Sequence, residues 1–159
     1  MVLIMVKTFI ISAIFGLFTV AAHAAASMQQ MEAACDAGDG LACGELAARY
    51  YCSPWNEFDC VKGRNLLEKS CNYKVANACG ALADLYERGK GGDKDFNKAI
   101  ENYKKACDLG SNEYCYILAS RYSNGKNVEA NIPKAKELFK RLCDMNFQDS
   151  CIRLKYIEE

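Results

Sequence analysis

Apolar residues recur along this chain at the spacing of one helix face. After Cys79, apolar side chains follow at Leu82, Ala83 and Tyr86, which are positions i+3, i+4 and i+7. Such positions lie on one side of an α-helix. The same pattern follows Cys43 and Cys115, and it is cut short after Cys151. We call the predicted helices B helices.

A second set of apolar positions precedes other cysteines and predicts a second kind of helix, the A helix. One of these helices carries Phe96, Ala99, Ile100, Tyr103, Ala106 and Cys107, and another carries Ile132, Ala135, Phe139, Leu142 and Cys143. Asp95 and Asn131 are suitable N-caps for these helices. Pro133 falls in a first turn, where its missing N–H costs little.

The units repeat every 36 residues, starting from Cys35, Cys71, Cys107 and Cys143. Two short helices cannot bury a core by themselves, so the units must stack. The sequence therefore predicts an all-α fold, an α-solenoid of about four antiparallel helix hairpins. The repeat domain covers residues 25–159, with units near 27–51, 61–88, 95–124 and 132–158. In the last helix, Lys155 and Glu158 replace the apolar residues and are expected to face water as a cap.

The ten cysteines form five pairs of the same eight-residue spacing. Because one spacing recurs five times, pairing of nearest neighbours is the simplest disulfide framework. It joins Cys35 to Cys43, Cys52 to Cys60, Cys71 to Cys79, Cys107 to Cys115, and Cys143 to Cys151. For Cys52 the choice between Cys60 and another partner such as Cys71 stays open. Zinc sites use closer cysteine spacings, so the pattern favours disulfides over metal ligands.

The N-terminus has the features of a secretory signal peptide. One cation, Lys7, precedes an uncharged apolar stretch, and small residues stand at Ala22 and Ala24. We expect a signal peptide over residues 1–24 with cleavage after Ala24, or alternatively after Ala26. The mature protein is then periplasmic or secreted, without a membrane anchor. An oxidising compartment is also where disulfides persist.

Charge and histidine content narrow the range of functions. The chain has 20 basic and 20 acidic residues, and Lys7 is the one charge in the leader, so the mature chain has no basic excess. Nucleic acids and anionic lipids are therefore not expected partners. The only histidine, His23, lies in the leader. A histidine-dependent nucleophile system and a histidine metal site are thus not expected, and neither is a cofactor.

Two segments carry a motif of a known repeat family. They run from Leu82 to Lys90 and from Leu118 to Lys126, and both read Leu-Ala, then Tyr three residues later, then Gly-Lys. This unit resembles the Sel1-like repeat. With its eight-residue cysteine spacing the chain is similar to the Helicobacter cysteine-rich protein family, and the likeness covers nearly all of residues 27–159. The resemblance implies a scaffold that binds another protein, for example a periplasmic immunity or inhibitor protein.

The same resemblance implies an alternative, because members of the cysteine-rich group have been assigned penicillin binding or β-lactamase activity. One Ser-x-x-Lys sequence exists, from Ser123 to Lys126, but it coincides with the repeat turn Gly125-Lys126 that is also present at Gly89-Lys90. The partner motifs of serine β-lactamases are absent from the sequence. No catalytic residue is therefore assigned, and whether the chain is an enzyme stays open, with binding favoured.

The most individual segment is the loop from Cys52 to Cys60, which carries the only Trp of the chain. Rigidly held aromatic side chains make strong contacts in interfaces. Trp55 and Phe58 are therefore the candidate partner-binding residues, although they could instead fill a gap between hairpins. Lys62, Lys98 and Lys134 recur on the A helices and are expected to be solvated.

Overall fold

The computed structural model describes residues 27–50 and 57–158, and every regular element in these ranges is an α-helix. The helices are α1 Met28–Asp36, α2 Gly40–Arg49, α3 Glu57–Asn72, α4 Ala76–Arg88, α5 Phe96–Asp108, α6 Asn112–Asn124, α7 Ile132–Asp144 and α8 Gln148–Glu158. Odd-numbered helices are the A helices and even-numbered ones the B helices. Each helix packs on the next in sequence, which confirms the predicted solenoid.

The predicted A-helix starts are confirmed. Asp95 Oδ1 accepts a hydrogen bond from the N–H of Lys98 at 2.9 Å, and Asn131 Oδ1 accepts one from the N–H of Lys134 at 3.0 Å. Pro133 lies in the first turn of α7. These side chains satisfy backbone donors that a helix N-terminus leaves without a partner.

Four of the predicted disulfides are confirmed, and each closes the turn between an A helix and the following B helix. They join Cys35–Cys43, Cys71–Cys79, Cys107–Cys115 and Cys143–Cys151, with Cα atoms 4.5 to 4.7 Å apart. Cys60 is also disulfide-bonded, whereas its predicted partner Cys52 lies outside the described residues. The cysteines of the first three of these disulfides are buried, whereas Cys143 and Cys151 are partly exposed.

All four turns have the same backbone. The third residue after the first cysteine has a positive φ, at Gly38, Lys74, Gly110 and Asn146. In each turn this residue donates its N–H to the carbonyl of the first cysteine, and the next residue donates to the carbonyl before that cysteine. This is the hydrogen-bond pattern of a helix C-cap with a left-handed residue. The turn therefore presents the two cysteines to each other in the same way in every unit.

Small residues let neighbouring hairpins approach closely. Ala83 on α4 and Ala99 on α5 belong to one buried cluster with Leu82 and Tyr103. Ala119 on α6 and Ala135 on α7 belong to another buried cluster, and both are fully buried. At the C-terminal end, Lys155 and Glu158 are exposed, as expected for a capping helix.

Gly80 on α4 lies directly against a tyrosine side chain of the next B helix, α6. A Cβ atom built on Gly80 would lie 2.0 Å from the ring of Tyr114. That ring is half-buried and stacks on Tyr103, with centroids 6.0 Å apart. Gly44 occupies the same repeat position, but its Cβ would meet only the Ser70 hydroxyl, at 3.1 Å.

We therefore predict that Gly80→Ala destabilises the protein by about 1–2 kcal/mol, because the Tyr114 ring must leave its site. Gly44→Ala is the matched control. It should change stability by less than about 1 kcal/mol in either direction, since Ala favours the helix but the buried Ser70 hydroxyl, which donates to the Gly40 carbonyl at 2.6 Å, must shift slightly. Urea unfolding of both variants checks this. Equal effects of the two substitutions would contradict the packing that we describe.

Candidate protein-binding surface

The two layers of helices leave grooves on the face formed by the B helices. Between α2 and α4, Leu67 of α3 forms the floor, and Ala47, Ala48 and Ala81 form the walls. Two cavities that share these four residues, of about 470 and 340 Å³, follow one another along this groove. We call it the B-face groove. Its small side chains leave room for the backbone of another chain.

The groove continues past the C-terminal end of α4 into a polar cavity of about 560 Å³. Asp84 and Arg88 line both this cavity and the neighbouring part of the B-face groove. The remaining lining comes from Glu87, Lys94, Phe96, Arg121, Lys126 and Asn127. We call this the cationic cavity, since it contains four basic side chains and two acidic ones.

The carboxylate of Glu87 accepts hydrogen bonds from three residues around the cationic cavity. Its Oε2 accepts hydrogen bonds from Arg121 Nη2 at 2.8 Å and from the Tyr103 hydroxyl at 2.9 Å, and its Oε1 accepts one from Asn127 Nδ2 at 2.8 Å. The Tyr103 hydroxyl also contacts Asp84. These bonds join α4, α5, α6 and the loop after α6. The ion pair with Arg121 is largely shielded, with 15% of the Glu87 side chain exposed.

The network affects two ionisable groups. Burial alone would raise the pKa of Glu87, but hydrogen bonds from Arg121 and Tyr103, and the charges of Arg121 and Lys126, outweigh it and leave the pKa below its usual value. Burial, together with Asp84 and Glu87, raises the pKa of Tyr103 far above that of a free tyrosine. Glu87 is therefore ionised at neutral pH, and Tyr103 keeps its proton as a donor.

Once Glu87 is paired, the cavity has an excess of positive charge. Arg88, Lys94 and Lys126 form no ion pair within the described part of the chain. All three are exposed around the cavity. These three cations outnumber the one other carboxylate in the lining, that of Asp84, which favours an acidic ligand.

The recurrent A-helix lysines make one contact that was not predicted, although Lys98 and Lys134 are exposed as expected. Lys62, Lys98 and Lys134 each place their ammonium nitrogen over the tyrosine ring of the preceding B helix, at 4.4, 5.4 and 5.5 Å from the ring centroids of Tyr50, Tyr86 and Tyr122. Each lysine follows its tyrosine by twelve positions. This spacing was a signal in the sequence for a cation–π contact between successive hairpins. The lysines thus belong to the scaffold.

The sequence-predicted binding residues cannot be compared with this surface. Trp55 and the side chain of Phe58 lie outside the described residues, although Phe58 belongs to the first turn of α3. The residues of the cationic cavity were not predicted. In the neighbouring unit Ser123 stands where Glu87 does, and Leu85 stands where Arg121 does, so the repeat gave no sign that the two residues meet.

The Ser-x-x-Lys sequence coincides with the repeat turn at the end of α6, as predicted from the matching turn at Gly89-Lys90. Gly125 ends α6 with φ 66°, and Gly89 ends α4 with the same angle. Ser123 lines a small cavity of about 70 Å³ with Phe139 and Arg153, whereas Lys126 lines the cationic cavity. The serine and the lysine therefore contribute to different cavities.

Comparisons with known proteins agree with this architecture. The family model of the Sel1 repeat matches residues 76–111 and 112–147. Cysteine-rich protein B of Helicobacter pylori is 31% identical, with 77% of this chain and 88% of that chain covered and a TM-score of 0.58. This chain is a cysteine-rich Sel1-repeat protein. It is thus a solenoid of the type that serves as a protein-interaction module.

Two further solved structures share the Sel1-repeat fold. A Sel1 repeat protein from Oxalobacter formigenes is 24% identical, with 80% of this chain and 96% of that chain covered and a TM-score of 0.68. A protective antigen of uropathogenic Escherichia coli with an SLR fold is 23% identical, with a TM-score of 0.69. The match covers 82% of this chain and 28% of the antigen. A search of curated proteins gives no match.

The family matches begin at α4 and at α6, so a family unit consists of a B helix and the A helix that follows it. The disulfides join an A helix to the next B helix. Cys107–Cys115 therefore crosses the boundary between residues 111 and 112, where one family unit ends and the next begins. In this Sel1-repeat protein the disulfides connect neighbouring units covalently.

We predict that Glu87→Gln lowers the free energy of unfolding by about 2 kcal/mol at pH 7, because Arg121 loses a charged partner that is shielded from water. The folded-state pKa of Glu87 is depressed, so its contribution is present above the unfolded pKa of about 4.3 and is lost as pH falls through the lower folded value. The difference from wild type should therefore shrink below about pH 4.

Denaturant unfolding at pH 7 and near pH 3 measures this difference. Glu101→Gln, on an exposed position of α5, is the matched control and should change stability by less than about 0.5 kcal/mol. A Glu87→Gln effect that stays constant across this pH range would show that the carboxylate does not hold the cavity as described.

Proposed function

We propose that this Sel1-repeat protein is exported and binds an acidic segment of a partner protein along the B-face groove and the cationic cavity. The observation that carries the proposal is the continuity of the two regions at Asp84 and Arg88. An apolar groove accepts apolar side chains of the bound segment, and the adjoining cations accept its carboxylates. Groove binding of this kind needs no catalytic group.

The rigidity of the groove supports the proposal. Its walls belong to hairpins that are closed by Cys35–Cys43 and Cys71–Cys79, and its floor residue Leu67 lies on α3 of the second hairpin. A preformed groove loses little conformational entropy when it binds. Glu87, Arg121 and Asn127 likewise fix the cationic cavity before a ligand arrives.

Charge reversal at the cavity tests the proposed partner chemistry. We expect a labelled peptide of alternating Leu and Glu residues to bind at least tenfold more tightly than the same peptide with Lys in place of Glu. Arg88→Glu combined with Lys126→Glu should weaken binding of the acidic peptide by about tenfold, since each contact is worth about 0.5–1 kcal/mol. Fluorescence anisotropy at low salt measures both comparisons.

The matched control is Lys104→Glu combined with Lys105→Glu, which makes the same change in charge on exposed positions of the A helix α5. It should leave peptide binding unchanged. Equal loss in both double variants would show a long-range effect of net charge and would contradict a site at the cationic cavity. The same two double variants also help to identify a natural partner. Such a partner should bind to the control variant and fail to bind to the cavity variant.

Export is the second part of the proposal, and it rests on the N-terminal sequence. We expect cell fractionation to place the protein in the periplasm or the medium, and intact-mass measurement to show a chain that begins at Ala25. A cytoplasmic chain that still begins at Met1 would contradict export. Within residues 27–50 and 57–158, no helix is both long and apolar enough to cross a membrane.

A concrete form of the proposal is an immunity or inhibitor protein that neutralises an exported toxin. It is supported by the resemblance and by a rigid, disulfide-closed scaffold suited to an oxidising compartment. Loss of a captured partner's toxic activity on addition of this protein would support it. The β-lactamase alternative gains no support, because Ser123 and Lys126 line different cavities. Hydrolysis of a chromogenic β-lactam, lost in Ser123→Ala, would revive it.

A further inference from the structure

A cavity on the opposite face, between the A helices α5 and α7, reaches a disulfide. It has a volume of about 220 Å³, and Cys107 lines it, together with Leu118 and Tyr122 from α6. Five charged side chains surround it: Lys104, Lys134 and Arg141, and the carboxylates Asp108 and Glu137. This site is separate from the B-face groove and plays no part in the proposed function.

Arg141 points at the Cys107–Cys115 disulfide. Its Nη2 is in contact with both Cys107 Sγ and Cys115 Sγ, and it makes no other hydrogen bond or ion pair with the described residues. A disulfide sulfur carries no charge and is a poor hydrogen-bond acceptor. The guanidinium is therefore far better matched to a thiolate, which is the species formed when the disulfide opens.

The other units lack this arrangement. The residue that corresponds to Arg141 one unit earlier is Lys105, for which no contact with Cys71–Cys79 exists. Two units earlier it is Lys69, whose ammonium pairs with Asp36 at 3.0 Å. Among the four disulfides described, Cys107–Cys115 is thus the one with a cation at its sulfurs.

We propose that Cys107–Cys115 is a site of thiol–disulfide exchange with an external dithiol, and that Arg141 stabilises the thiolate that leaves. Cys107 is otherwise buried, so a thiolate of the dithiol reaches and attacks Cys107 Sγ through the cavity that this residue lines. The Cys107–Cys115 bond breaks, a mixed disulfide forms at Cys107, and the electron pair of the broken bond remains on Cys115 Sγ beside Arg141. A leaving thiol of lower pKa leaves faster.

The second step completes the exchange. The second thiol of the dithiol loses its proton to water. Its thiolate then attacks the first sulfur of the same dithiol, which is bonded to Cys107 in the mixed disulfide. Cys107 then leaves as a thiolate, the external dithiol becomes a disulfide, and two electrons have passed to the protein. Both sulfurs can then take up protons from solvent. The chemistry requires a dithiol reductant of the thioredoxin type, or dithiothreitol as a simple substitute.

The test compares disulfides within one molecule. The oxidised protein is treated with limiting dithiothreitol, the free thiols are trapped by alkylation at successive times, and the labelled peptides are measured by mass spectrometry. We expect Cys107 and Cys115 to be labelled at least about tenfold faster than Cys71 and Cys79. Arg141→Gln should remove most of this advantage, whereas Arg141→Lys should keep part of it.

Two controls distinguish thiolate stabilisation by Arg141 from a change in reduction rate caused by looser packing of the hairpin. Lys105→Gln, the same change one unit earlier, should leave the rate at Cys71–Cys79 unchanged. The pH dependence of alkylation of the reduced protein should give Cys115 a pKa below the usual 8.5 in wild type and a higher value in Arg141→Gln. A purely structural role of Arg141 would not move that pKa. The proposal would be overturned if Cys107–Cys115 and Cys71–Cys79 were reduced at equal rates in wild type. It would also be overturned if Arg141→Gln left the reduction rate of Cys107–Cys115 unchanged.

Discussion

The disulfide across each turn between an A helix and a B helix is the constraint on which the rest of this Sel1-repeat protein depends. Each closes a loop of nine residues, and the chain-entropy model assigns such a link about 2.5 kcal/mol. Four of them contribute about 10 kcal/mol, which is comparable to the whole stability of a typical domain. In a solenoid each family unit contacts only its neighbours, and Cys107–Cys115 crosses the boundary between two matched family units, so such a link joins them covalently.

The binding surface follows from this rigidity. Closed hairpins stack through Ala83 and Ala99, and through Ala119 and Ala135, with lysines laid over tyrosines at the same junctions. The B helices are then held apart from each other by the A helix between them, and the space above Leu67 remains open as the B-face groove. Local differences between units, such as Glu87 and Arg121, give each groove its own charge. The helix scaffold is therefore the same in every unit, while the charged residues of the cationic cavity come together at one position only among the described residues.

The repeated part of this architecture was open to prediction from sequence. Cysteines, alanines and tyrosines at a 36-residue period specify helix faces and turn links, and the N-caps Asp95 and Asn131 could be read from the residue type alone. The contacts of Lys62, Lys98 and Lys134 were missed although their period was visible, because a lysine on a helix surface is usually solvated. The cationic cavity and the position of Arg141 depend on single residues brought together by stacking, and a repeat pattern contains no information about such contacts.

Urea unfolding of wild type beside the double variant Cys71→Ala, Cys79→Ala tests the central role of the turn disulfides most directly. Alanine keeps the site apolar, so the comparison isolates the crosslink, apart from the small volume lost with each sulfur. The account predicts a loss of about 2.5 kcal/mol in the free energy of unfolding, and a broadened or divided transition as the units on either side uncouple. A loss below about 0.5 kcal/mol with one sharp transition would show that packing alone holds the array together.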